Sequence, residues 1–348
     1  MLNSFNRRNI GIFAHIDAGK TTTTEQMLFK GGQIRSLGSV DTGTAQTDWL
    51  DVERERGISV LAATIELIWR NTFINIVDTP EHVDFLSEVE RSLRVMDGAI
   101  LIISAVEGVQ PQTEVIWHAL RKLNIPTLIY INKIDRIGAD PNRVIKNIHH
   151  ELSTTAVPIQ NIQGVEESFE GVCFWHEQEQ VSEQPLYDQI VEVVSEHDDS
   201  VLNQYLEGEH ISNEQLKEKL SLLSKDGQVF PVLFGASNKG IGIQELMDAM
   251  IDYLPHPEGL KDAPLSGIVF KIDRDHKLGR LAYVRLYQGS IQNRDSIYNV
   301  TQAIEEKVTQ IRKIHGNKSE DLGELHAGDI AALSGLSHVK IGDILGSA

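Results

Sequence analysis

NIGIFAHIDAGKT, residues 9–21, is the stretch that decides how the N-terminal part of this chain folds. Its first six residues form an apolar run of strand length, and Gly19 lies in the short loop that follows. A helix is predicted near residues 21–30, ending at the glycine pair after it. In this order of strand, loop and helix, main-chain N–H groups and the positive helix end surround an anion. We therefore predict a phosphate-binding loop over residues 14–21, called the phosphate loop below.

Buried strands and helices continue to alternate after this loop. Strands are predicted at 59–69, 73–77, 98–105, 127–131 and 229–234, and helices at 84–96, 111–123 and 242–254. Apolar strands that alternate with helices indicate a mostly parallel, doubly wound sheet that is covered on both faces. Because ligands of such sheets bind at the carboxyl ends of the strands, we expect the functional residues there.

The sequence predicts two domains. Residues 1–256 form the α/β domain, and within it residues from about 137 to 228 are polar, acidic and poor in periodic segments. We interpret that stretch as an inserted subdomain. Pro255 and Pro257 end the last predicted helix. Short strands separated by Gly, Asn and Asp turns follow, so residues 257–348 are predicted to form a small all-β barrel.

The phosphate loop supplies most of the predicted nucleotide contacts. Lys20 can reach the β- and γ-phosphates of a nucleoside triphosphate, and the hydroxyl of Thr21 can bind Mg²⁺. Asp78 ends a predicted strand near the loop and is expected to be the second Mg²⁺ anchor. The usual pattern begins with Gly, whereas this chain has Ala14. The residues predicted to hold the phosphates and the metal are His15, Ile16, Asp17, Ala18, Gly19, Lys20, Thr21, Thr22, Asp78, Thr79, Pro80 and Glu81.

Two further motifs indicate that the base is guanine. Asn132, Lys133 and Asp135 follow a predicted strand. The carboxylate of Asp135 would accept hydrogen bonds from N1 and N2 of guanine, which adenine cannot supply, so an ATP-binding protein is disfavoured. Asn132 is expected to support the loop, and the Lys133 side chain to pack on the base. Ala236 and Ser237 follow another predicted strand, where a main-chain N–H could meet guanine O6.

These motifs together resemble translational GTPases of the elongation factor G family. RERGI at 54–58 is similar to the first switch of that family, and DTP at 78–80 with HVDF at 82–85 is similar to the second. AGDIAALSGL at 327–336 resembles part of the family's second, β-barrel domain. The stretches most similar to tetracycline-resistance ribosomal protection proteins are GSVD at 38–41, TD at 47–48 and residues 118–135.

The resemblance implies a fold, a reaction and partners. The fold is an α/β P-loop GTPase domain followed by a small all-β barrel domain. GTP/GDP and Mg²⁺ are the implied ligands, with Ser59 as a further Mg²⁺ ligand and His82 as the residue that orients the attacking water. The GTP-bound factor binds the ribosome through ribosomal RNA and proteins, hydrolyses GTP and leaves. In ribosomal protection proteins this binding expels tetracycline.

Two departures from the family pattern modify these expectations. Glu81 takes the place of a glycine whose N–H meets the γ-phosphate, so we expect GTP binding to persist and hydrolysis to weaken. Family members continue with further domains, so a chain ending at Ala348 is expected to be a fragment, a truncated gene product or an excised piece. The open alternatives are an elongation factor G paralogue in translocation and a GTP-binding ribosome-docking module with impaired hydrolysis.

The net charge, the apolar runs and the cysteine count restrict the expected partners and cellular location. The net charge of −18 makes the chain a poor non-specific nucleic-acid binder, so no DNA partner is expected and ribosome contacts would need local basic patches. No apolar run approaches the length of a membrane helix. Cys173 is the single cysteine and cannot form an internal disulfide, which fits a reducing compartment. A cytoplasmic monomer without a membrane partner is predicted.

Overall fold

The computed structural model describes residues 7–38, 63–78, 93–177, 185–275, 279–315 and 318–346. Within these ranges the chain forms seven α-helices and two large sheets. The first sheet is built from the N-terminal part of the chain and the second from the C-terminal part. The predicted site residues Ser59, Thr79, Pro80, Glu81 and His82 lie outside the described ranges. The first predicted switch segment, all of the second except Asp78, and most of the predicted helix at 84–96 also lie outside them.

The first sheet is built from seven of the nine strands in the N-terminal part. The nine strands are β1 Arg7–Ala14, β2 Ala63–Trp69, β3 Thr72–Asp78, β4 Gly98–Ser104, β5 Thr127–Asn132, β6 Ala156–Pro158, β7 Gln160–Gln163, β8 Gly171–Phe174 and β9 Phe230–Phe234. The order in the sheet is β2-β3-β1-β4-β5-β9-β6, and β7 and β8 form a separate hairpin. β2 is antiparallel to β3, and the other neighbours are parallel.

Helices cover both faces of this sheet. They are α1 Lys20–Lys30, α2 Pro111–Lys122, α3 Pro141–Glu151, α4 Pro185–Ser195, α5 Asp199–Leu206, α6 Asn213–Lys225 and α7 Ile243–Tyr253. Met27 of α1 and Met247 of α7 share one apolar core with Ile12, whereas Trp117 of α2 shares a second core with Leu101. Strands covered on both faces have to be apolar throughout, and this explains why β4 and β5 are completely buried.

The stretch at 137–228 is more regular than the sequence suggested. It contains four helices, α3 to α6, and β6 joins the edge of the main sheet beside β9. The expectation of few periodic segments was therefore wrong. Leu186, Ile190 and Val194 repeat at the spacing of one helix face and are buried, but charged residues between them dilute the apolar signal.

The C-terminal part is an antiparallel β domain. Its strands are β10 Ser266–Asp275, β11 Gly279–Gln288, β12 Ser290–Gln292, β13 Ser296–Asn299, β14 Ile304–Lys307, β15 Gln310–His315, β16 Lys318–Asp321, β17 Glu324–His326, β18 Ile330–Ser334 and β19 Ile344–Gly346. Eight of them form one sheet in the order β14-β13-β19-β10-β11-β18-β15-β16, and β12 pairs with β17. Val269, Val284 and Leu333 lie in its apolar core. The predicted fold class is confirmed.

A buried polar cluster joins the two sheets. Asp97, just before β4, accepts hydrogen bonds through Oδ2 from the main-chain N–H of Asn9 at 3.0 Å and from its side-chain Nδ2 at 2.7 Å. The other oxygen, Oδ1, accepts from Nη2 of Arg285 on β11 at 2.7 Å. Arg285 is 2% exposed and also donates to the carbonyl oxygen of Gly328. Burial raises the pKa of Asp97, and the charge of Arg285 opposes that shift.

Candidate functional site

The phosphate loop turns sharply between β1 and α1. Asp17 and Gly19 have left-handed φ angles of 64° and 99°, and the N–H of Ala18 donates to the carbonyl oxygen of His15 at 3.1 Å. A Cβ atom on Gly19 would lie 2.4 Å from Nδ2 of Asn132. Only glycine satisfies both the backbone angle and this close approach, so the loop is held against the end of β5.

The helix end that follows the loop carries no side-chain cap. The N-cap of α1 is Gly19, and the first turn contains no acidic residue. By contrast, Asp140, Asp198 and Ser212 cap α3, α5 and α6 with hydrogen bonds to main-chain N–H groups. An uncapped helix start with Lys20, which is 1% exposed, is suited to an anionic ligand such as a phosphate.

His15 connects the phosphate loop to the end of β4. Its Nδ1 lies 2.9 Å from the carbonyl oxygen of Ile16, and its Nε2 accepts from the N–H of Ser104 at 3.4 Å. These roles require the neutral imidazole with its hydrogen on Nδ1. Burial lowers the pKa of His15, which favours that neutral form, while the bond to Ile16 acts in the opposite direction. The N–H of Ile16 in turn donates to Oε1 of Gln112 on α2 at 3.3 Å.

Asn132, at the end of β5, links the phosphate loop to the loop after β9. Its Nδ2 donates to the carbonyl oxygen of Ala18 at 2.9 Å. Its Oδ1 accepts from the N–H of Ser237, also at 2.9 Å. The side chain is 2% exposed, so these bonds form away from water and hold two loops in one arrangement. Asn132 therefore connects the two loops directly.

The loop after β9 is organised around Ser237. Its hydroxyl lies 2.8 Å from Oγ1 of Thr23 on α1 and 3.4 Å from the hydroxyl of Tyr130 on β5. The N–H of Ala236 donates to the carbonyl oxygen of Ile241 at 3.0 Å, and the N–H of Ser237 serves Asn132. Both N–H groups therefore already have acceptors within the protein. A bond from this loop to guanine O6, as expected from the sequence, would require one of them to be shared.

Asp135 lies in a cleft of about 600 Å³ that Lys133, Ile137 and Glu167 also line. The Asp135 side chain is 7% exposed, and its Oδ2 is 3.9 Å from Nζ of Lys239. Lys133 has a left-handed φ of 66°, so the chain turns at this residue before it reaches Asp135. A carboxylate so placed can receive two N–H donors from a planar ligand.

The described part of the predicted site converges on one edge of the sheet. The residues found around the carboxyl ends of β1, β5 and β9 are His15, Ile16, Asp17, Ala18, Gly19, Lys20, Thr21, Thr22, Asn132, Lys133, Asp135, Ala236 and Ser237. Asp78 ends β3 opposite Ile12 of β1, so its backbone reaches the same edge. This is the edge at which ligands of doubly wound sheets bind.

The residues present are of the kind that Mg²⁺ requires. Thr21 is 6% exposed in the first turn of α1, and Asp78 ends the neighbouring strand. A hydroxyl and a carboxylate supply the oxygen ligands that Mg²⁺ prefers. In the described ranges no group of three or more His, Cys, Asp or Glu side chains could hold a metal ion by itself. Mg²⁺ bound by a few protein oxygens completes its octahedral coordination with phosphate oxygens and water.

Several site residues were not identified from the sequence. They are Ser104, Gln112, Glu166, Glu167 and Lys239. Lys239 could have been found, because it lies only two residues after Ser237 in the same loop. Glu166 and Glu167 belong to an acidic stretch in which nothing distinguishes them from solvated surface residues, and the polar contacts of Glu166 involve main-chain atoms.

Comparison with known proteins agrees with this geometry. Residues 6–256 match the family described as the elongation factor Tu GTP binding domain, and residues 264–348 match elongation factor G domain 2. Tetracycline resistance protein TetP of Clostridium perfringens is 42% identical over 97% of this chain and 51% of its own length. Elongation factor G 2 of Syntrophomonas wolfei is 42% identical over 97% of this chain and 54% of its length.

Two further relatives extend the comparison. Elongation factor G 1 of Treponema denticola is 39% identical over 98% of this chain and 56% of its own length. The chain thus spans about half the length of the curated relatives it matches. A crystal structure of a protein from Thermus thermophilus has the same fold, with a TM-score of 0.86 at 24% identity over 99% of this chain and 55% of that one.

None of the helices in the described ranges has the length and apolar character needed to span a bilayer. The motifs, the fold and the two family matches, which together cover nearly the whole sequence, have a single explanation. The chain belongs to the translational GTPases of the elongation factor G family.

Proposed function

We propose that this chain binds GTP and GDP with Mg²⁺, hydrolyses GTP, and acts on the ribosome as part of a translation factor. The observation that carries the proposal is the bridge by Asn132 between Ala18 and Ser237, with Asp135 in the adjoining cleft. An uncapped helix start and a carboxylate with little exposure lie at one sheet edge, and this supports phosphate and guanine binding there.

Each group has a defined task in the proposed reaction. The main-chain N–H groups of the phosphate loop and Lys20 bind the phosphates, and Asp135 accepts the two N–H donors of guanine. Thr21, Asp78 and Ser59 are the residues that would hold Mg²⁺, which neutralises charge on the β- and γ-phosphates when bound. His82 would orient the attacking water. Catalysis of this kind consists of positioning and electrostatic stabilisation.

The proposal also covers the domain organisation, the partner, the cellular location and the oligomeric state. Residues 1–256 would be the GTP-binding domain, with the inserted subdomain at about 137–228, and residues 257–348 the second domain. The expected partner is the ribosome, and the expected setting is the cytoplasm, with the chain as a monomer. Named relatives that are translation factors support this proposal.

Drug protection is the favoured role of the whole protein, and translocation is the alternative. The tetracycline resistance protein and elongation factor G 2 are both 42% identical to this chain, so identity favours neither. The favoured role rests on the stretches at 38–41, 47–48 and 118–135. Expression of the natural reading frame in tetracycline-sensitive cells tests it: growth at raised drug concentration supports protection, and unchanged sensitivity contradicts it.

Hydrolysis is tested by phosphate release from GTP with and without ribosomes. The proposal expects release that ribosomes accelerate. A ribosome-docking module that does not hydrolyse GTP remains the other candidate, because Glu81 replaces a glycine of the family pattern and would bring a side chain and a negative charge to the γ-phosphate. We expect Glu81→Gly to raise the single-turnover rate of GTP hydrolysis. Equal rates for the two forms would show that Glu81 does not weaken the reaction.

A further inference from the structure

The loop that carries Asp135 is held from outside the main sheet. The turn between β7 and β8 packs against residues 134–138, and one residue of that turn makes both polar contacts. The main-chain N–H of Glu166 donates to the carbonyl oxygen of Ile134 at 2.8 Å. Its side-chain Oε1 accepts from the N–H of Gly138 at 2.6 Å. Glu166 therefore holds this short loop at both ends, with Asp135 between the two contacts.

The first contact acts directly on the backbone of Asp135. The carbonyl group of Ile134 belongs to the same planar peptide unit as the N–H of Asp135, so fixing one fixes the other. On its other side, the N–H of Ile134 donates to the carbonyl oxygen of Gly235 at 3.2 Å. The backbone beside Asp135 thus has one anchor from the loop after β9 and one from the β7–β8 turn, and Nζ of Lys239 lies 3.9 Å from the carboxylate itself.

The turn itself is held by close internal contacts. Gly164 has a φ of 78°, and a Cβ atom there would lie 1.9 Å from the carbonyl oxygen of Ser168. The Ser168 hydroxyl donates to the carbonyl oxygen of Val165 at 2.7 Å, which closes the turn. Phe169 is 3% exposed and lies in the same apolar core as Ile134. A turn fixed in this way can transmit a constraint to the loop it contacts.

Glu166 adopts an uncommon backbone conformation to make these contacts. Its φ is 57°, in the left-handed region, which residues with a side chain rarely adopt. Glycine or asparagine would adopt this conformation more readily but would lack an oxygen that reaches Gly138. The strained residue is therefore the one whose side chain the neighbouring loop uses.

We propose that Glu166 is a positioning residue for guanine recognition, through which the β7–β8 turn sets the orientation of Asp135 and the lifetime of the bound nucleotide. This inference rests on the proposed role of Asp135. Guanine offers two donors, N1–H and the 2-amino group, whereas hypoxanthine offers only N1–H. Two bonds require a correctly oriented carboxylate and one bond tolerates rotation, so a loosened Asp135 loses more affinity for guanine than for hypoxanthine.

The test compares dissociation rates of fluorescently labelled GDP and IDP in four variants of this chain. Glu166→Gly keeps the left-handed backbone and its N–H but removes the side-chain acceptor. Glu166→Asn shortens the side chain and is the second form should Gly prevent folding. Glu166→Gln retains an acceptor oxygen and should rescue. Glu170→Ala changes an exposed residue of the same turn and is the matched control.

Glu166→Gly and Glu166→Asn are expected to release GDP about three to ten times faster and to lower the preference for GDP over IDP by a similar factor. Glu166→Gln and Glu170→Ala should stay within about twofold of the parent protein. A purely structural role would lower the unfolding midpoint in urea and leave the GDP-to-IDP ratio unchanged. An unchanged ratio in both Glu166→Gly and Glu166→Asn would overturn the inference.

A separate variant distinguishes failure of this inference from failure of the proposed function. Xanthine carries an oxygen where guanine has its 2-amino group, so Asp135→Asn should reverse the preference between GDP and XDP. If Asp135→Asn keeps the parent preference, guanine recognition by Asp135 is wrong. If that preference reverses but the GDP-to-IDP ratio of the Glu166 variants is unchanged, only the positioning role is wrong.

Discussion

Asn132 is a buried polar side chain and Asp97 a largely buried one, with 13% of its side chain exposed; both join distant parts of the chain, but with different chemistry. Asn132 is neutral, and it connects two loops of the nucleotide site through main-chain partners. Asp97 carries a charge, and it connects the two sheets through Arg285, which is itself 2% exposed. Removal of the Asn132 side chain leaves neutral hydrogen-bonding groups unpaired. Removal of the Asp97 side chain leaves the two N–H donors of Asn9 unpaired and, in addition, a buried cation. Substitutions at Asn132 and at Asp97 should therefore differ in how much they lower the free energy of unfolding and in whether they weaken nucleotide binding.

The largest expected effect is the loss of stability on breaking the pair between the sheets. Asp97→Ala leaves the Arg285 guanidinium buried without its partner, which should lower the free energy of unfolding by about 3 to 5 kcal/mol. Adding Arg285→Leu should recover the part of that loss that comes from the unpaired charge, because the hydrogen bonds of Asn9 stay lost. Urea unfolding measures both. Asp273→Ala is the control, because Asp273 is 51% exposed and its pair with Lys271 should contribute less than about 1 kcal/mol.

Unfolding of Asp97→Ala also tests whether the ion pair between Asp97 and Arg285 stabilises the contact between the two sheets. If the single variant and the double variant with Arg285→Leu are equally unstable, the cost arises from lost packing and not from an orphaned charge. Because Asp97 lies outside the nucleotide site, Asp97→Ala should bind GDP with nearly the parent affinity under conditions where it is folded.

A smaller stability effect, with a larger functional one, is expected at Asn132. Asn132→Ala leaves the carbonyl oxygen of Ala18 and the N–H of Ser237 without their partner, at a cost of about 2 to 4 kcal/mol of unfolding free energy. GDP affinity should fall more than stability alone explains, because both loops lose their common support. Calorimetric GDP titration measures this. Asn142→Ala, at an exposed position of α3, should change neither quantity.

His15 should make the nucleotide site sensitive to pH. Burial lowers the pKa of His15 below the ordinary value of 6.5, so the folded protein favours the neutral ring. The unfolded chain binds a proton at a higher pH than the folded one does. The stabilisation is thus complete above the ordinary pKa and is lost as pH falls below it.

His15→Gln should therefore flatten the dependence of unfolding free energy on pH between about 7.5 and 5.5 relative to the parent protein. His150→Gln, at an exposed histidine of α3, provides the comparison and should keep the parent slope. Parallel pH profiles for the parent protein and His15→Gln would mean that the neutral ring of His15 contributes nothing to stability.

The smallest effect is expected at an ion pair near the surface of the inserted stretch. The hydrogen bonds of Asp198 with Lys219 and Ser200 lower the pKa of Asp198 to about 2. Asp198→Asn keeps an oxygen that caps α5 and loses the ion pair, so unfolding free energy at pH 7 should fall by less than about 1 kcal/mol. That stabilisation is present above the ordinary pKa and disappears as pH falls towards about 2. Asp199→Asn is the control. If the loss of unfolding free energy in Asp198→Asn persists at low pH, it arises from capping of α5 and not from the ion pair with Lys219.

The sequence predicted the strands and the loop that can be recognised from their own residues, without knowledge of distant contacts. The apolar runs of β1, β4 and β5 and the glycine of the phosphate loop determine the parallel sheet and its binding edge. Asn132 and Asp135 were predicted as site residues because they end or follow the apolar strand β5. Strands covered on both faces are uniformly apolar, and this pattern is readable without knowledge of the neighbours.

Contacts between distant residues could not be predicted in the same way. Arg285 is separated from Asp97 by 188 residues, and neither lies in a recognisable motif. Glu166 contacts main-chain atoms of Ile134 and Gly138, which any residue possesses, so no residue type marks the partner. The helices of the inserted stretch were missed because charged outer faces obscure the apolar spacing.

The most direct test of guanine recognition is competition between GDP and ADP for binding to this chain, measured with and without Mg²⁺. A buried Asp135 that accepts both donors of guanine predicts a preference for GDP of about 10⁴-fold, with affinity strengthened by Mg²⁺. Equal displacement by GDP and ADP would contradict the assignment. It would also be contradicted if Mg²⁺ changed the affinity for neither nucleotide.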